Sequence, residues 1–256
     1  MAYSPDYRTY PGARGATATA AVLDAGLRAY MLRVYNWMTS GLLLTGIVAY
    51  TIANFAPLTQ IFYQRDELGR VVPQLPAVIS IFAPLVFVMV LSLGVNRLSR
   101  QTAQTLYWLF AAAMGASLAN IFLIYTHESI ARVFFITAGT FAAMSFWGYT
   151  TRSDLSRWGS FLMMGLIGII IASVVNIFLH STGLQFMVSV IGVLVFVGLT
   201  AYDTQRIKSD YVQYVYAAGT DGAAKRSVYD ALSLYLNFIN LFMLLMQLMG
   251  NRSSNS

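Results

Sequence analysis

Met187-Val188-Ser189-Val190-Ile191-Gly192-Val193-Leu194-Val195-Phe196-Val197-Gly198-Leu199-Thr200-Ala201-Tyr202-Asp203 is the stretch on which the fold turns. It is nearly long enough by itself to cross a bilayer, which takes about 20 apolar residues. It also ends on a carboxylate. An ionisable group costs on the order of 3 kcal/mol at the centre of a membrane helix. Asp203 is therefore a candidate functional group whose partner has to be sought.

The pattern recurs along the chain. Seven apolar segments, near 34–54, 77–95, 104–125, 130–150, 158–179, 185–204 and 230–249, predict an all-α polytopic membrane domain over residues 34–250. Composition agrees: 57% of residues are apolar and 10% charged, against about 25% charged in soluble domains. Residues 1–33 are expected to be a disordered tail followed by an amphipathic stretch. That stretch, 17–33, reads either as an interfacial helix or as an extension of the first span. Residues 251–256 form a short tail.

The absence of cysteine excludes disulfides and thiolate metal sites. The net charge of +6 is scattered between apolar runs, so it does not form a nucleic-acid patch. Its distribution is a topology signal. With the amino terminus inside, 12 of the 16 Lys and Arg residues fall on the inner side. This predicts a cytoplasmic amino terminus and an exterior carboxyl terminus. Pro84 predicts a kink in span two. Ala111, Gly115 and Ala119, four residues apart, predict close helix packing by span three.

Enzyme motifs are missing. His127-Glu128 begins like a zinc-protease motif, but the position of the second His is Ala131. No phosphate loop or paired nucleophile and base is visible, so neither an enzyme nor a cofactor site is expected. The polar residues of the last two spans are more informative. Ser233, Asn237 and Asn240 share one helical face, and Asp230 joins it two turns before Asn237. Helix–helix hydrogen bonding and a functional role both stay open for Ser233 and Asn240. Spans two, six and seven place Arg97, Asp203 and Asn237 near one depth on the inner side. An Asp facing an Arg keeps its charge more easily, which offsets burial.

Leu234-Tyr235-Leu236-Asn237-Phe238-Ile239-Asn240-Leu241-Phe242 and Tyr202-Asp203-Thr204-Gln205-Arg206-Ile207-Lys208 resemble the motifs of the Bax inhibitor-1 family. The likeness is to its bacterial branch, which includes a modulator of the FtsH membrane protease. The resemblance implies six helices around a central seventh in a bacterial plasma membrane. It also implies a calcium leak, gated by pH through a hydrogen-bonded carboxylate pair, with an Arg latched onto the first Asp in the closed state. By position, Asp203 matches the first carboxylate and Arg97 the latch, with Arg100 as the alternative. The second carboxylate is Asn237 here. Two carboxylates can share a proton and so make a pH switch; Asp and Asn cannot.

The expectation is a cation leak channel or weak transporter, with calcium bound only transiently near Asp203. One carboxylate plus amides falls short of the six to eight oxygens calcium prefers. The competing expectation is a regulator of a membrane protease or stress response, binding its partner through residues 1–30. The lipid bilayer is the remaining partner, and nucleic acid is excluded.

Overall fold

A computed structural model describes residues 12–66, 71–95, 97–216 and 219–253, apart from the side chains of residues 12–21, Arg65 and Tyr214. The apolar runs become helices because each can satisfy its own backbone hydrogen bonds in a medium without water. These are α1 (Gly12–Asn54), α2 (Ala56–Phe62), α3 (Leu75–Gly94), α4 (Arg100–Ile124), α5 (His127–Thr150), α6 (Ser156–Leu179), α7 (Thr182–Asp210) and α8 (Gly219–Met249). Six of them, α3 to α8, are each long and apolar enough to span a membrane. The α1–α2 pair, bent by 91°, brings the number up to seven.

α1 has 43 residues, or about 65 Å of helix at 1.5 Å per residue. It runs without a break through 12–33, so the extension of the first span is the form taken there. Residues 12–15, expected to be disordered, are helical; residues 1–11 lie outside the described residues. Past Asn54 the chain turns sharply into α2. A short antiparallel ribbon follows, β1 (Tyr63–Arg65) on β2 (Val71–Pro73). α3 then starts with Pro at its first turn and continues through Pro84.

α8 is the centre. It is the most buried span, and it packs mainly on α1, α4, α5 and α7. α3 leans on α4, and α6 leans on α7, so these two stand at the outside. The core of α8 includes Ala231, Leu234, Tyr235, Leu241 and Met246, all essentially inaccessible. Small residues set the close contacts around it. A Cβ on Gly115 of α4 would lie 2.7 Å from the Thr45 carbonyl oxygen of α1. A Cβ on Gly148 of α5 would run into the Ala201 carbonyl oxygen of α7. Both are contacts with backbone, which cannot swing aside. Ala111, Gly115 and Ala119 are all buried, and α4 packs extensively on α1.

The segment 205–229, read from the sequence as the longest connection, is mostly helix. α7 runs six residues beyond Thr204. It then widens into a turn at Tyr211–Val215, where the Tyr216 N–H donates to the Tyr211 carbonyl five residues back, at 3.0 Å. α8 begins at Gly219, whose φ of +71° suits a residue without Cβ. Hydropathy misses these ends because they are charged. Ile207, Tyr211 and Val215 nevertheless recur every fourth residue and are buried.

At the other end, the chain after α8 is clasped to the α4–α5 turn. Thr126 N–H donates to Asn251 O at 3.1 Å, Ser253 N–H to Ile124 O at 2.8 Å and Asn251 N–H to Ser129 Oγ at 2.8 Å.

Candidate ion site at the α7–α8 seam

Thr200, Asp203, Thr204 and Ile207 are buried on one face of α7. This follows from the helical period: 200, 203, 204 and 207 return to the same side. Asp203 is only 5% exposed, and its carboxylate is met by three donors. Asn237 Nδ2 donates to Oδ2 at 2.7 Å, and Ser233 Oγ donates to the same oxygen at 2.9 Å. Arg206 Nη2 pairs with Oδ1 at 3.0 Å and donates to Ser233 Oγ at 3.2 Å. With donors on both oxygens, the carboxylate serves as an acceptor. The Asn237 amide has no proton of the kind a second carboxyl would share with it.

Arg97 is not brought to Asp203. It is exposed in the turn after α3 and makes no ion pair among the described residues. Arg100 pairs instead with Asp221, at 3.3 Å and near the surface. The guanidinium that meets Asp203 is that of Arg206, one turn along the same helix. A shared predicted side of the membrane did not bring Arg97 close. Arg206 could have been found from the i,i+3 spacing alone. Asn240 also stands apart: its Nδ2 donates to Leu236 O of its own helix at 2.8 Å.

Asp230 forms a second buried cluster, nearer the start of α8. It is 2% exposed. Tyr30 of α1 donates to its Oδ2 at 2.5 Å, and Arg226 Nε meets its Oδ1 at 3.2 Å. The same Arg226 reaches Asp210 through Nη2 at 3.1 Å. The seam between α7 and α8 thus carries Asp203, Arg206, Asp210, Arg226 and Asp230.

The rest of the Asp203 motif ties neighbouring elements to α7. Gln205 Oε1 accepts from Leu155 N–H at 2.8 Å, and its Nε2 donates to Ser153 O at 2.8 Å, which fixes the α5–α6 turn. Lys208 Nζ donates to Tyr149 O at 2.8 Å and lies 4.9 Å from the ring centroid of Tyr149. Thr204 belongs to a hydroxyl chain with a fixed direction. It donates to Thr200 O at 2.8 Å, so it must accept from Ser145 at 2.8 Å, which must accept from Tyr35 at 2.5 Å. No group of three or more metal-ligating side chains occurs among the described residues. His127, at the start of α5, instead packs beside Phe122.

A family model described as "Inhibitor of apoptosis-promoting Bax1" matches residues 27–254, and so covers both motifs and every helix from α2 to α8. The chain belongs to the Bax inhibitor-1 family. It is 47% identical to an uncharacterized protein of Rickettsia prowazekii, covering 92% of this chain and 95% of that one. It is 46% identical to the inner membrane protein YbhL of Escherichia coli, covering 89% and 94%. An uncharacterized membrane protein of Streptococcus pyogenes is 32% identical over 89% and 94%. With its spanning helices, this Bax inhibitor-1 family chain is an integral membrane protein.

Proposed function

We propose that this chain is a cation leak, with calcium as the principal ion, and that Arg206 closes it. The supporting observation is the buried Asp203 carboxylate at the α7–α8 seam, with Arg206 on one oxygen and the Asn237 amide and Ser233 hydroxyl on the other. A polar stripe buried in a membrane bundle marks an ion route more readily than a packing device. In the closed form the guanidinium takes the place a cation would take. Opening requires Arg206 to leave and calcium to meet Asp203 with amide, hydroxyl and water oxygens. Such a ligand set is weak enough to release the ion.

The test is calcium entry into proteoliposomes. Arg206→Gln removes the competing charge and should raise flux. Asn237→Asp should make flux depend more steeply on pH than in the native protein, because two carboxylates then face each other. Flux in both variants equal to native at every pH would defeat the closing role of Arg206 and the proton-sharing argument together.

We further propose a plasma-membrane location with the amino terminus cytoplasmic and the carboxyl terminus exterior. The 12 of 16 Lys and Arg residues on the inner side support it. A reporter enzyme fused after Ser256 should be active only outside the cytoplasm. Cytoplasmic activity would reverse the assignment.

A second reading, control of a membrane protease or stress response by contact, is favoured by α1. Its length of about 65 Å exceeds the ~30 Å hydrocarbon core, so part of α1 stands clear of the bilayer, where a partner can reach it. Under this reading a chain lacking residues 1–20 would lose the partner and keep any calcium flux.

A further inference from the structure

α1 and α5 both pack on α8 yet make little contact with each other. Between them lies an open groove of about 1370 Å³. It extends from Asp24 to Thr51 along α1, about 40 Å at 1.5 Å per residue. Its walls are apolar through Met31, Leu42, Phe134, Phe141 and Phe238. Its two ends differ. Tyr50 and Thr51 close one end without charge, while Arg28, Lys208 and Asp24 stand at the other, two cations against one carboxylate.

Lys208 differs from the arginines that carry ion pairs. Arg100, Arg206 and Arg226 each hold a carboxylate. Lys208 holds only the Tyr149 carbonyl and ring, with no carboxylate partner among the described residues. An ammonium has three donors, so this partly buried charge is incompletely matched. Arg28 adds a second cation at that end, in a solvent-exposed pair with Asp24 at 3.4 Å.

From this we infer that the α1–α5 groove is a binding site for an anionic membrane phospholipid, its acyl chains along the apolar walls and its phosphate at Lys208 and Arg28. The charge pattern decides between occupants. A bare apolar groove would take any lipid or a neighbouring helix, but the net positive charge at one end, Lys208 and Arg28 against Asp24, selects a negative headgroup. In the orientation proposed above, that end faces the cytoplasm, where the leaflet surface is negative. The site also adjoins the ion seam. Tyr35 and Ser145 line the groove, and their hydroxyl chain ends on Thr204, next to Asp203.

The chain has no cysteine, so a single introduced thiol gives an unambiguous probe. Ala142→Cys, within the groove, would carry a photoactivatable benzophenone in proteoliposomes of mixed phosphatidylglycerol and phosphatidylcholine. Mass spectrometry would read the lipid attached. Ile170→Cys, on the outer face of α6, reports the bulk composition. Phosphatidylglycerol should be enriched at position 142 over position 170 by about fivefold, the preference expected for one cation near a charged lipid. Lys208→Gln keeps a donor for Tyr149 O and should abolish the enrichment; Lys208→Arg should retain it. Equal composition at both positions, enrichment that survives Lys208→Gln, or attachment mainly to protein would overturn the inference. The last result would assign the groove to a helix of a second copy or another protein.

Discussion

Asp203→Asn should reduce calcium flux on the order of tenfold, since ligand charge is a main determinant of calcium affinity. The substitution keeps the size of the side chain and an acceptor for Asn237 or Ser233, so the helices should still assemble. What it removes is the carboxylate to which the Asn237 amide and the Ser233 hydroxyl donate. Asp230 cannot stand in, because Tyr30 and Arg226 occupy its two oxygens. The measurement is calcium entry per reconstituted protein, with thermal unfolding to show that the variant is intact. Unchanged flux in a fully folded variant would place the ion route elsewhere.

The largest effect on stability should come from Asp230→Ala. This carboxylate joins α1 to α8 through Tyr30 and holds Arg226 within α8. Its loss leaves a phenol without an acceptor and a guanidinium with only Asp210. Breaking a buried pair costs about 3–5 kcal/mol in soluble proteins. For a chain of this size that corresponds to a melting temperature lower by about 10 °C. Tyr30→Phe, which removes one hydrogen bond, should cost about 1–2 kcal/mol. If Asp230→Ala melted within a degree or two of the native protein, the Tyr30–Asp230–Arg226 cluster would not be a structural tie.

These two acids show what the sequence made legible. Asp203, Ser233 and Asn237 could be placed together because each lies on a helix whose period is known, and a carboxylate in so apolar a helix needs donors. Arg97 could not be ruled out in the same way. Charge counting assigns a residue to a side of the membrane; it carries no distance across the bundle. Tyr30 was out of reach for the opposite reason. It is 200 positions from Asp230, and its spacing only marks it as apolar-facing. The spanning helices were visible in hydropathy, but the ends of α7 and α8 were not. Their charges read as loop, although Asp203 with Arg206 and Arg226 with Asp230 have the i,i+3 and i,i+4 spacings of helix.

α8 leaves the ribosome after α1 to α7, and it is the core. Until it arrives, Asp203 lacks its α8 donors, Tyr30 lacks its acceptor, and the inner faces of α1, α4, α5 and α7 have nothing to close on. The nascent protein is therefore an incomplete ring that needs this 31-residue helix to become a bundle. The hydrogen bonds from Asn251 and Ser253 to the α4–α5 turn are then the closing fastener. A chain stopped before residue 219 would present membrane quality control with an uncovered buried acid, so premature termination should lead to degradation rather than to a smaller working protein.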